Sequence, residues 1–129
     1  MDATRLRNVP LFAALGEHDR ARIAQWADEI DVPAGKQLAG EGELAYEFFV
    51  ILDGTAEVTH DGERLAELGP NDFFGEIGLL ETERRTATVT ATTPLTAIVM
   101  FGPNFRHVER ELPELAQQIR AAIGERLSR

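Results

Sequence analysis

The stretch EFFVILDGTAEVTHDGERLAELGP, residues 47–70, decides the fold class. Three turn signals, Asp53-Gly54, Asp61-Gly62 and Gly69-Pro70, cut it into the pieces Phe48 to Leu52, Thr55 to Thr59 and Arg64 to Leu68. Each piece is too short for an amphipathic helix and of ordinary length for a strand. Asp61-Gly62 is a favoured hairpin dipeptide, because glycine accepts positive φ without steric cost. The punctuation continues outward through Pro33-Ala34-Gly35, Glu41-Gly42 and Gly102-Pro103, and Thr86 to Thr92 and Leu95 to Phe101 add two further strands. Many short strands with closely spaced turns predict a sandwich, barrel or jelly roll over residues 32–101. No internal repeat or low-complexity linker interrupts the zone.

Helical patterns flank it. Up to about residue 31, Leu15, Ile23, Trp26, Ala27 and Ile30 fall on one helix face, and Asp19, Arg20, Arg22 and Asp28 on the other. Gly16 stands at the expected N-cap, and Glu17 suits the positive helix end. Val9-Pro10-Leu11-Phe12 reads as a short turn packing back on the core. After residue 101, Leu112, Leu115, Ile119, Ile123 and Leu127 form a helical stripe, with Pro113 in its first turn. Arg120, Arg126 and Arg129 complement the negative end of that helix. Its apolar face is read first as packing on the sheet, with which a dimer seam or a lid over a ligand is compatible.

Composition then narrows the function classes. With 129 residues the chain makes one domain, 1–129, large enough to bury a core unaided. Thirteen Lys and Arg against twenty-two Asp and Glu leave a net charge of −9. That sign opposes nucleic-acid binding, which needs a basic stripe. No apolar run approaches a membrane span, the N-terminal MDATRLRNVP has no signal-like apolar core, and cysteine is absent. A cytoplasmic setting is expected. Catalysis is not: Ser128, the only serine, stands next to the last residue. His18, His60 and His107 lie in three different zones without metal-ligand spacing, so neither a metal nor a cofactor is expected. His60, beside the Asp61-Gly62 turn, and His107 both read as exposed histidines.

One segment carries binding chemistry, FFGEIGLLETERRTATV at residues 73–89. Gly75 and Gly78 let a ligand approach the backbone around Ile77 to Leu80, which reads as one helical turn whose free N–H groups suit an anion. Arg85 stands ten residues after Gly75 and can offer its planar fork to two phosphate oxygens. Glu76 has the wrong sign for a phosphate but suits hydroxyl donors such as those of a ribose. Glu81 and Glu83 add nearby negative charge, which Arg84 offsets in part.

The string GEIGLL, four residues, then RTATV resembles the phosphate-binding cassette of the cyclic nucleotide-binding domain family. EGELAYEFFVILDG at 41–54 and GERLAELGPNDFFGE at 62–76 resemble the family's strand signature and its approach to the cassette. LFAALGEHDRARIA and FRHVERELPELAQQIRAAIGERL resemble its N-terminal and two closing helices. The resemblance implies an eight-stranded antiparallel β-roll of the double-stranded β-helix type, with helices at 1–31 and 102–129. It implies that Arg85, Thr86, Gly75, Gly78 and Leu79 hold the cyclic phosphate and that Glu76 accepts from the ribose 2′-hydroxyl. Val58 and Leu65 match positions flanking the nucleotide, though both also suit a core. Thr86 can contact a guanine, and Arg120, Ile123, Arg126 and Leu127 are candidate base contacts from the last helix. The implied function is a cAMP or cGMP sensor whose C-terminal helix responds to ligand, similar to the sensory half of Crp/Fnr-type regulators, without their helix-turn-helix. It would perform no chemistry, contact neither nucleic acid nor membrane, and signal to a protein effector or through a homodimer. The alternative is a roll that binds no ligand and serves as a dimerisation or docking module.

Overall fold

The computed structural model describes residues 1–13, 15–43, 47–74, 87–118 and 121. A 3-10 helix (Ala3–Asn8), α1 (Pro10–Ala13) and α2 (Glu17–Trp26) precede eight strands, β1 (Asp28–Val32), β2 (Gln37–Ala39), β3 (Glu47–Asp53), β4 (Ala56–His60), β5 (Glu63–Leu68), β6 (Phe73–Phe74), β7 (Thr88–Ala91) and β8 (Leu95–Phe101). Helix α3 (Gly102–Glu111) follows, and residues 113–118 are helical again. The strands form two four-stranded antiparallel sheets in the orders β1-β8-β3-β6 and β2-β7-β4-β5. These are the two faces of a β-roll, not a closed barrel.

Burial explains which strands were visible as apolar runs. Phe48 and Val50 of β3, with Ile98 and Met100 of β8, belong to a cluster completed by Leu6, Phe12, Ile23, Val108 and Leu115 of the helices. The alternate residues Phe49, Ile51, Ala97 and Val99 belong to a second cluster with Ala56, Val89 and Ala91 of the opposite sheet. Strands buried on both faces carry continuous apolar sequence, and FFVIL and AIVM are such runs. By contrast β5 is exposed along its length except at Leu68, in keeping with its edge position.

The helical reading up to residue 31 is corrected. Helix α2 starts after Gly16 as expected and ends at Trp26, and Asp28 and Ile30 lie in β1, where Asp28 pairs with Val99 and Ile30 with Ala97. Ladder hydrogen bonds to a buried strand outweigh the weak helical continuation of an acidic segment, and the roll therefore begins at Asp28 rather than at residue 32. The two closing helices implied by the resemblance meet at Leu112, which has φ −132° and ψ 62° while its N–H bonds to the Val108 carbonyl. Pro113 cannot donate and biases the preceding residue away from helix. Leu112 and Leu115 are both buried nonetheless. His107, expected to be exposed, is half-buried and stacks on Trp26 at 5.5 Å between ring centroids.

Candidate functional site at the loop end of the roll

Every strand connection except the β4–β5 hairpin passes from one sheet to the other, and the connections gather at two ends. One end holds the turns after β1, β3, β5 and β7. There the Thr55 hydroxyl lies 2.7 Å from that of Thr92, the Thr55 N–H donates to Thr93 Oγ1, and the Thr92 N–H donates to the Thr55 carbonyl. The Gly35 N–H donates to the Ala91 carbonyl, and the Asn71 N–H to that of Ile51. At the opposite end β2, β4 and β6 finish and β3, β5 and β7 begin, with the Asp61-Gly62 hairpin between β4 and β5. The chain between β6 and β7 includes residues 75–86, the segment singled out for phosphate, which lie outside the described residues.

Described residues frame this second end. The Glu41 N–H donates to Thr88 Oγ1 at 3.0 Å, tying the β2–β3 connection to the first residue of β7. Thr88 pairs with Thr59, and Val89 with Val58. The Asp61 N–H donates to Glu41 Oε1 at 3.2 Å. His60 stands between two carboxylates, with Nδ1 3.4 Å from Glu41 Oε1 and Nε2 3.4 Å from Asp61 Oδ2. Glu41, His60 and Asp61 are the set of metal-ligating groups that the fold brings together among the described residues. The two ring nitrogens address different carboxylates, an arrangement that suits ion pairing when the imidazole is protonated rather than chelation. His60 is exposed, as expected for a turn histidine. The described rim at this end is acidic, and Arg64 is engaged by Glu67 at 2.5 Å, so a bound anion would depend on positive groups from elsewhere in the chain.

Of the residues expected at a nucleotide site, Val58 and Leu65 are described. Val58 is half-buried and packs on the cluster between the sheets. Leu65 is 61% exposed and belongs to neither core cluster. Its reading as a core residue is therefore corrected. The ladder shows why: Thr59 pairs with Arg64 and Val58 with Ala66, so Leu65 is the extra residue of a β-bulge on an edge strand. The two side chains belong to adjacent strands of one sheet, near the residues that pair with the start of β7. Gly75, Glu76, Gly78, Leu79, Glu81, Glu83, Arg84, Arg85 and Thr86 lie outside the described residues, as do Arg120, Ile123, Arg126, Leu127, Ser128 and Arg129. Among titratable groups, Asp2 is held below the usual aspartate range, chiefly because it accepts the Thr4 N–H and also the Thr4 hydroxyl.

The sequence profile of the cyclic nucleotide-binding domain matches residues 29–111, which takes in β1 from Glu29 onward, the other seven strands, α3 and the whole of the 75–86 segment. The chain belongs to the cyclic nucleotide-binding domain family. Its relatives include a cyclic nucleotide-gated potassium channel of Rhizobium etli, 33% identical over 118 residues that cover 92% of this chain and 33% of the channel. A cAMP-dependent protein kinase regulatory subunit of Eremothecium gossypii is 35% identical over 104 residues, covering 80% of this chain and 23% of that subunit. The Thermus thermophilus catabolite activator protein superposes with a TM-score of 0.82 at 27% identity, covering 92% of this chain and 58% of that one. The chain thus spans between about a quarter and a third of the length of these curated relatives. As a cyclic nucleotide-binding domain it shares the antiparallel β-roll with flanking helices. No helix among its described residues is long and apolar enough to cross a membrane.

Proposed function

We propose that this domain binds cAMP or cGMP at the loop end of the roll and acts as a sensor without catalytic chemistry. Arg85 is assigned to the cyclic phosphate, together with Thr86 and the backbone N–H groups of Gly75, Gly78 and Leu79. Glu76 is assigned to the ribose 2′-hydroxyl, and Val58, Leu65, Thr86 and Ile123 to the base. The observation that carries the reading is the uninterrupted string from Gly75 to Val89 within the segment that the family profile matches. Chemistry supports the assignments. A guanidinium pairs with two phosphate oxygens, free N–H groups solvate the same anion, and a carboxylate accepts from a hydroxyl. The acidic described rim makes Arg85 decisive, because diffuse attraction from the rest of the surface is not available to an anion.

Output is assigned to the helical segment that begins at Pro113. Its Leu115 joins the same buried cluster as β3, β8 and α2, so a ligand that alters the loop end has a packed route to it. The relatives' names link such domains to a channel and to a kinase, and a protein effector or a second copy of this chain is the proposed partner, with a cytoplasmic location. Calorimetry with cAMP, cGMP and 5′-AMP tests the reading. Saturable binding of a cyclic nucleotide, absent with 5′-AMP and lost in Arg85→Ala, is the expected result. Absence of binding by both cyclic nucleotides would instead leave a docking module.

A further inference from the structure

Helix α3 carries two exposed arginines that no carboxylate neutralises, whereas the other Lys and Arg side chains of the described surface are engaged, exposed Lys36 between β1 and β2 excepted. Arg5 pairs with Glu29, Arg7 with Glu17, Arg64 with Glu67, and Arg22 with both Asp19 and Glu111. Arg20 donates to the Ala13 and Leu15 carbonyls. Arg106 makes no hydrogen bond or ion pair among the described residues, and Arg110 meets only the imidazole of His107, at 2.9 Å. In a chain with twenty-two acidic residues, two exposed arginines without a carboxylate are conspicuous. One acidic residue of the helix, Glu111, turns instead to Arg22 on α2.

The geometry gathers the two charges into one place. Arg106 and Arg110 are four residues apart and share a helix face. With Pro103, His107 and Glu109 they line an open groove of about 620 Å³. The groove is held from behind: His107 stacks on Trp26, the Arg22 guanidinium lies 5.7 Å from the Trp26 ring, and the Asn104 amide donates to the Trp26 carbonyl. Helix α3 therefore presents its arginines from a fixed base.

We propose that this groove is a docking surface for an acidic segment of a partner protein, one carrying two carboxylates a helical turn apart. Paired guanidinium forks match paired carboxylates at that spacing. A chain of net charge −9 repels extended polyanions, whereas a short acidic segment meets a local basic pair, with Glu109 the one carboxylate among the lining residues of the groove. The site lies on α3 and not among residues 75–86, so the inference stands whether or not the domain binds a nucleotide.

The test uses the full chain and a capped alanine-based peptide of about 16 residues with glutamates at i, i+4 spacing, helical enough to present them together. Trp26, the single tryptophan, reports occupancy by fluorescence because it stacks on a groove residue. Saturable binding in the submillimolar range is expected, weakening with salt and falling at least tenfold in the double variant Arg106→Glu, Arg110→Glu. A lysine version of the peptide should bind that variant, while Arg64→Gln should leave the glutamate peptide's affinity unchanged. No binding by wild type, an equal affinity in the charge-reversed variant, or tighter binding to phosphatidylserine vesicles or to DNA than to the peptide would each overturn the proposal. Far-ultraviolet circular dichroism of each variant separates lost binding from lost folding.

Discussion

Replacing Gly54 by alanine isolates the closeness of two sheet crossings in a single number. Gly54 has φ +90°, and a Cβ there would stand 2.4 Å from the Pro94 carbonyl oxygen and 2.8 Å from Leu95 Cα. Neither obstacle is a side chain that can rotate away. Gly62 in the hairpin has nearly the same backbone, φ +81°, but its Cβ would meet nothing within 4 Å. Both alanines incur the left-handed backbone cost of about 1–2 kcal/mol. Only Gly54→Ala adds an overpacking term, typically about 1–3 kcal/mol. Expected losses are therefore about 1–2 kcal/mol for Gly62→Ala and about 2–5 kcal/mol for Gly54→Ala, the latter a large share of a normal domain's stability. Urea unfolding followed by Trp26 fluorescence measures both. With a slope of about 1–3 kcal/mol per molar urea, the two midpoints should differ by roughly 1 M. Equal losses at the two positions would refute the packing of the crossings, since the conformational cost alone would then account for both.

Arg85→Ala should weaken cyclic nucleotide binding by about 3–5 kcal/mol, the scale for removing one partner of a desolvated charge pair, and Arg84→Ala should cost far less; calorimetry compares them. Glu76→Gln should cost about 1–2 kcal/mol, and a 2′-deoxy ligand should then show little further loss, because both changes damage one hydrogen bond. Hydrogen exchange should slow in residues 113–127 when nucleotide is added, and protection confined to 75–89 would remove the switch from the proposed sensor. Asp2 stabilises the first helical turn while ionised; its lowered pKa means that this contribution is complete above the ordinary aspartate pKa and is lost as pH falls through the lowered value. The Thr4 amide proton should therefore report an NMR inflection below about 3.9, the ordinary aspartate value.

The roll was legible where local chemistry and tertiary structure agree. Asp61 and Gly62 both adopt positive φ, 51° and 81°, as an Asp-Gly hairpin requires, and β3 and β8 announce themselves as continuous apolar runs. Strand β1 was not legible. Its sequence, DEIDV, has three acidic residues in five and continues the spacing of α2, and only the ladder to β8 makes it a strand. Strands β2 and β6, of three and two residues, are too short for any periodicity to register. Around the candidate site, the resemblance supplied Val58 and Leu65, but the bulge that exposes Leu65 depends on cross-strand register. The meeting of Glu41 with His60, and of Trp26 with His107, joins residues far apart in the chain, for which no spacing rule exists.

The crossing pattern also dictates how this chain can fold. The β4–β5 hairpin is the local pairing available among the eight strands, whereas β1 must wait for β8, joining Asp28 to Val99. Loop-closure entropy is spent on such distant partners before their contacts are gained, which slows folding toward the millisecond-to-second range of all-β topologies. A fragment lacking β8 would strand both β1 and β3 without the neighbour between them. The roll closes late and as a whole, and translation must deliver residue 101 before the sheet containing β1 can be completed.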